Sequence, residues 1–173
     1  MSVNILETIV AYKKLEVAQQ KQQFSIAELE KMPLFQKQSY SLVHSVKDTS
    51  KTGIIAEFKR KSPSKGIIND RASVLEVTNA YSNYGASGIS VLTDHEFFGG
   101  SLDDLSVAVQ NPIPVLRKEF IIDPFQLIEA KAYGASVILL IAACLRPEQV
   151  QSFAKLSNQL GMEVLLELHD EEE

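Results

Sequence analysis

The chain has 173 residues, 45% of them hydrophobic, and a formal net charge of -5. This length and apolar content support one sizeable core, and the acidic balance gives no electrostatic reason to expect a nucleic-acid partner. The single Cys144 excludes an internal disulfide framework and reads as a core thiol, and no stretch approaches the ~18 apolar residues of a membrane span, so a soluble, cytoplasmic protein without a membrane partner is expected.

From Ile5 to about Phe24 the pattern is helical. Ile5, Leu6, Ile9 and Val10 form an apolar stripe, while Lys13, Lys14, Gln19, Gln20, Lys21 and Gln22 read as solvated. Ser25 and Glu28 have the spacing of a capping box for a second short helix that stops near Met32-Pro33. Residues 1–48 are thus expected to form an N-terminal helical extension, and residues 49–173 the main α/β unit.

The stretch Gly53 to Gly66, GIIAEFKRKSPSKG, organises the rest of the chain. Ile54, Ile55, Ala56 and Phe58 make a β-prone run, and Glu57 and Lys59, two apart, point to one side of that strand. Opposite charges on one strand face are tolerated best at its open end. Arg60 to Gly66 then form a cationic, proline-stiffened loop suited to holding an anion.

Ser73 with Glu76 predicts another helix start, with Val74, Val77, Ala80, Tyr81 and Tyr84 on one face and a stop at Gly85. Strands are expected at Gly88 to Thr93, Pro114 to Glu119, Val137 to Ala142 and Glu163 to Leu168. Helices separate them: Ser101 to about Gln110, one opened by Asp123-Pro124 and closed at Gly134, and one from Pro147 to Gly161 with Val150, Phe153, Leu156 and Leu160 on one side. Tyr84-Gly85-Ala86-Ser87 recurs as Tyr133-Gly134-Ala135-Ser136, each a helix stop feeding a strand.

This cadence predicts parallel βαβ units, five of the eight that a closed barrel needs. Functional residues of such folds lie at the C-terminal strand ends, where the first strand offers Glu57 and Lys59, the third Lys118, and the fifth Glu167 and His169. Alternate strands feed one interior layer, so Lys59, Lys118 and Glu167 are expected to converge. Ammonium groups beside carboxylates suit proton transfer together with anion binding. His44, His95 and His169 lack metal-ligand spacing, so no metal is expected.

The segments IIAEFKRKSPSKG, SVLTDHEFFGGSLDDL, PVLRKEFIIDPFQLIEAKAYGASVILLIA and LLELHDEEE resemble indole-3-glycerol phosphate synthase, in that family's order. The resemblance implies a TIM (β/α)8 barrel, here ending after strand five. It implies a lyase of tryptophan biosynthesis that converts 1-(2-carboxyphenylamino)-1-deoxyribulose 5-phosphate to indole-3-glycerol phosphate, carbon dioxide and water without a cofactor. By the same resemblance Lys118 is the general acid of ring closure, Glu167 the general base, and Lys59 a carboxylate contact and acid in dehydration, oriented by Glu57. Lys61 matches a phosphate contact, Ser62 and Pro63 shape the loop, Phe98 and Phe120 flank the aromatic ring, and Leu139 lines the floor.

Glu119 stands where that family usually has Asp. The family's strands six to eight, with an Asn, an Arg and Gly/Ser-rich phosphate loops, have no counterpart here. The chain alone is therefore expected to be a truncated form, nearly inactive, with open barrel edges prone to self-association. Two other readings stand beside this one: another phosphate-binding barrel enzyme of the pathway, such as phosphoribosylanthranilate isomerase, and a non-catalytic, self-associating fragment. The SPSKG loop and Lys118 argue against the isomerase.

Overall fold

A computed structural model describes residues 5–171. The chain opens with helices α1 (Ile5–Gln23), α2 (Ile26–Leu29) and α3 (Leu42–Lys47). The Ser25–Glu28 capping box forms reciprocally, which fixes the start of α2. Strand β1 (Ile55–Phe58) comes next, then a small antiparallel hairpin of β2 (Lys61–Ser62) and β3 (Gly66–Ile67).

Four crossovers complete the unit: α4 (Val74–Asn83) to β4 (Gly88–Leu92), α5 (Leu102–Ala108) to β5 (Val115–Lys118), α6 (Phe125–Ala132) to β6 (Val137–Ile141), and α7 (Pro147–Gln159) to β7 (Glu163–Glu167). The main sheet runs β1-β4-β5-β6-β7, each neighbouring pair parallel. Sheet order therefore equals chain order, the arrangement of consecutive βα units in a (β/α)8 barrel.

The recurring Tyr-Gly-Ala-Ser segments have a physical cause. After α4, Gly85 N–H bonds to Ser82 O and Ala86 N–H to Tyr81 O; after α6, Gly134 N–H bonds to Lys131 O and Ala135 N–H to Ala130 O. These paired bonds close a helix only when the glycine is left-handed, and Gly85 and Gly134 hold φ of 83° and 84°. The serines after them join the sheet directly, Ser87 N–H to Ile54 O and Ser136 N–H to Val115 O.

Two cores flank the sheet. Between sheet and helices lie Ile89, Val91, Val115, Ile138, Leu140, Leu105, Leu127 and Phe153. On the other face Leu116, Val137, Leu139 and Ile141 pack with Leu42 of α3, and Cys144 lies partly buried against them. Each fully buried Leu or Ile contributes about 1.5–3 kcal/mol. Glu163, at the start of β7, accepts from the N–H groups of Leu42 (2.8 Å) and Val43 (3.1 Å), anchoring α3 beneath this inner face. Alternation along the strands then sends Glu57, Lys118 and Glu167 to the same inner side at the opposite end.

Two expectations need correction. Tyr84 does not share the buried face of α4: it is the C-cap residue and 86% exposed, whereas Thr78 is the buried position. Lys13 is not solvated but fully buried, in line with Ile9 and Val17 along α1. Glu172 and Glu173 of the acidic ending lie outside the described residues. No described helix is long and apolar enough to cross a membrane.

Candidate active site

A cavity of about 570 Å³ opens at the C-terminal ends of the strands. Its wall includes Glu57 and Lys59 at the end of β1 and just beyond it, Leu92 of β4, Phe98 in the loop after β4, and Lys118, Glu119 and Phe120 of β5 and its extension. Leu139 and Ile141 of β6 and Glu167 and His169 at the end of β7 complete the far side. Ile5, Leu6 and Ile9 of α1 also border it, so the N-terminal helix lies at the mouth.

Glu57 is the hub of the polar groups. Its Oε1 lies 2.7 Å from Lys59 Nζ and its Oε2 lies 2.9 Å from Lys118 Nζ. Partial burial pushes the Glu57 carboxyl up, but the hydrogen bonds and charges of Lys59 and Lys118 outweigh it and hold the group below the usual carboxylate range. The carboxylate thus stays ionised and holds both ammonium groups at the cavity wall. Glu167 shares the cavity but pairs with His169 Nε2 at 3.3 Å, not with either lysine.

The cationic loop is the β2–β3 hairpin. Lys65 N–H donates to Ser62 Oγ at 3.2 Å across its tip, and Gly66 takes φ of 64°. Ser62, Pro63, Ser64 and Lys65 border the cavity. Lys61, the expected phosphate contact, is not among the lining residues, because its ammonium donates to Glu96 O. Lys65 of the same hairpin borders the cavity, while the Lys61 ammonium is held on the Glu96 carbonyl.

Phe98 and Phe120 meet with ring centroids 6.0 Å apart and planes tilted by 34°. Each ring hangs from a backbone held by a buried carboxylate. Asp94 Oδ1 accepts from Phe97 N–H (2.7 Å) and Phe98 N–H (3.2 Å). Glu119 Oε1 accepts from Phe120 N–H (2.8 Å), and its Oε2 accepts from Thr93 Oγ1 (2.8 Å). Gly100 lets this loop fold back on β4: a Cβ there would stand 2.0 Å from Leu92 O.

Lys13 joins the two carboxylates. Its Nζ lies 2.9 Å from Asp94 Oδ2, 3.1 Å from Glu119 Oε1 and 2.9 Å from Glu16 Oε2. Burial alone would lower the Lys13 pKa, but Glu119, Asp94 and Glu16 together raise it, so the ammonium is charged. Behind Glu119, Arg117 is buried as well, donating to Thr93 Oγ1 (3.1 Å), Gln126 O (2.9 Å) and Glu129 Oε2 (2.8 Å). No group of three or more metal-ligating side chains occurs among the described residues.

The chain matches the family model described as indole-3-glycerol phosphate synthase over residues 6–173. The chain belongs to the indole-3-glycerol phosphate synthase family. An indole-3-glycerol phosphate synthase of Bacteroides thetaiotaomicron is 47% identical over 173 residues, covering 98% of this chain and 65% of the relative. One from Bordetella pertussis is 42% identical over 174 residues, covering 98% of this chain and 66% of the relative. A third, from Leptospira interrogans, is 50% identical over 133 residues, covering 75% of this chain and 53% of the relative. The chain therefore spans about two thirds or less of the length of these relatives. The indole-3-glycerol phosphate synthase match takes in α1 together with the strands, so the helix bearing Lys13 lies within the matched region.

Proposed function

We propose that this chain carries the acid–base wall of an indole-3-glycerol phosphate synthase active site. The observation that carries this reading is the Lys59–Glu57–Lys118 cluster, set in a cavity with the Phe98–Phe120 ring pair and Glu167. The substrate would be 1-(2-carboxyphenylamino)-1-deoxyribulose 5-phosphate. Phe98 and Phe120 flank its aromatic ring, Leu139 forms the floor, and the Ser62–Lys65 hairpin faces its anionic end.

In ring closure the ring carbon bearing the carboxylate attacks the ketone carbon, and Lys118 protonates the ketone oxygen as the C–C bond forms. Loss of carbon dioxide returns the electron pair to the ring. Glu167 then removes a proton while Lys59 donates one to the departing hydroxyl, which leaves as water and completes the indole. Glu57 holds the two ammonium groups apart until the substrate carboxylate competes for Lys59. A positioned acid of this kind contributes about 10²–10⁴-fold in rate.

The test monitors indole-3-glycerol phosphate formation by fluorescence, in this chain and in a form extended by the C-terminal third of the Bacteroides relative. Turnover by the extended form, lost in its Lys118→Ala variant, is expected. A well-folded extended form without turnover would overturn the reading. The 173-residue chain alone is expected to be nearly inactive, because the hairpin by itself offers few phosphate donors.

A second reading concerns association of the chain with itself. Leu165, Leu166 and Leu168 at the β7 edge are 38%, 43% and 53% exposed, and β7 has no neighbour on its outer side among the described residues. We propose that a second copy covers this edge. Light scattering at increasing concentration tests it, and a monomer throughout would refute it.

A further inference from the structure

We propose that Lys13 is a positioning residue that sets the spacing of the Phe98–Phe120 ring pair, and so tunes the cavity for an aromatic ligand. The inference rests on reading this cavity as the site of an aromatic substrate. A continuous chain of contacts carries it. Asp94 presents Oδ2 to Lys13 (2.9 Å) and Oδ1 to the Phe97 and Phe98 N–H groups; Glu119 Oε1 takes both Lys13 (3.1 Å) and Phe120 N–H. Asp94 Oδ2 is buried and accepts no hydrogen bond within the described residues, so the ammonium is the group that compensates it.

The groups facing Lys13 are Glu16 from its own helix, Asp94 after β4 and Glu119 after β5, and Arg117 stands behind Glu119 at 3.9 Å. Without the ammonium, two fully buried carboxylates would face one another. They would separate or draw in water, and each would carry a ring-bearing backbone with it. Docking of α1 does not itself need this device, since Ile9 and Val17 bury beside Lys13 on the same face. A polar anchor at this position has a directional consequence that an apolar residue would lack: it ties two loops to one point.

The chain contains no Trp, so the indole fluorescence of indole-3-glycerol phosphate reports its binding against a clear background. Binding of this product and of glycerol 3-phosphate is measured in the wild-type chain and in Lys13→Met, with ring-to-ring NMR contacts between Phe98 and Phe120 recorded in parallel. The variant is expected to lose the ring contact and to bind the product at least about tenfold more weakly, with glycerol 3-phosphate affinity changed by less than about twofold. An unchanged ring contact and product affinity, or equal weakening of both ligands, would overturn the proposal. Should Lys13→Met not fold, Asp94→Asn is read the same way: it keeps an oxygen for the Phe98 backbone but removes the charge that Lys13 meets. Should the wild type bind neither ligand, the ring contact decides: its loss in the variants upholds the positioning role and its retention overturns it, while the substrate reading is judged by turnover of the extended form.

Discussion

Lys118 Nζ stands 2.9 Å from Glu57 Oε2, joining two residues 61 positions apart in the chain. The contact crosses from β5 to β1 over the end of β4, and Glu57 holds Lys59 with its other oxygen. One carboxylate therefore governs two ammonium groups. Glu57→Gln should leave those ammonium groups repelling each other and slow turnover of the extended form by about 10²-fold, while Lys118→Ala slows it by about 10²–10⁴-fold. Single-turnover kinetics at saturating substrate checks both.

The same cluster predicts an acid sensitivity. The Glu57 pKa is lowered in the folded protein, so its contribution to stability is present above the unfolded value of about 4.5 and is lost as pH falls through the folded value. Urea unfolding should show wild type more stable than Glu57→Gln at pH 7, with the gap closing progressively below 4.5. A gap that persists in full at pH 2 would contradict the ionic origin.

Removal of the Lys13 ammonium leaves Asp94 and Glu119 buried, with Arg117, 3.9 Å from Glu119, as the remaining cation. Lys13→Met should therefore cost about 3–5 kcal/mol, the range for breaking a buried ion pair on one side. Chemical denaturation with the m-value held constant measures it.

Glu16 behaves in the opposite sense. Burial raises its pKa and outweighs the hydrogen bond and charge of Lys13 that lower it, so its stabilising contribution is fully present below about 4.5 and is lost as pH rises through the folded value. At neutral pH the charge is therefore a cost, and Glu16→Gln should stabilise the fold by up to about 1 kcal/mol. The advantage should vanish in acid, as thermal unfolding at the two pH values would show.

Gly100 is the steric hinge of the Phe98 loop. A methyl group there meets Leu92 O at 2.0 Å and Thr93 Cα at 3.1 Å, all backbone, so the loop must move. Gly100→Ala should cost about 2–3 kcal/mol and weaken product binding through displacement of Phe98. Equal stability and affinity to wild type would show that the loop adapts freely.

Local periodicity determined much of this protein. Strand and helix positions follow from runs such as Val137–Ile141 and from glycines that only a left-handed helix stop requires, because those signals depend on neighbouring residues. Parallel topology follows from the alternation of these elements, and the strand-end positions of Lys59, Lys118 and Glu167 follow from it in turn. Tertiary structure decided what sits across from what. Lys13 falls four residues from both Ile9 and Val17, a spacing that marks it as facing inward, yet a lysine is expected in water unless a carboxylate awaits it. That carboxylate comes from the ends of β4 and β5, far along the chain. Likewise, Lys61 and Lys65 are equivalent in composition, and only the hairpin turned one to the Glu96 carbonyl and the other to the cavity. Pairing between charges far apart in the chain, as in Lys13–Asp94 and Lys118–Glu57, is not encoded in one-dimensional pattern; the fold brings those partners within reach.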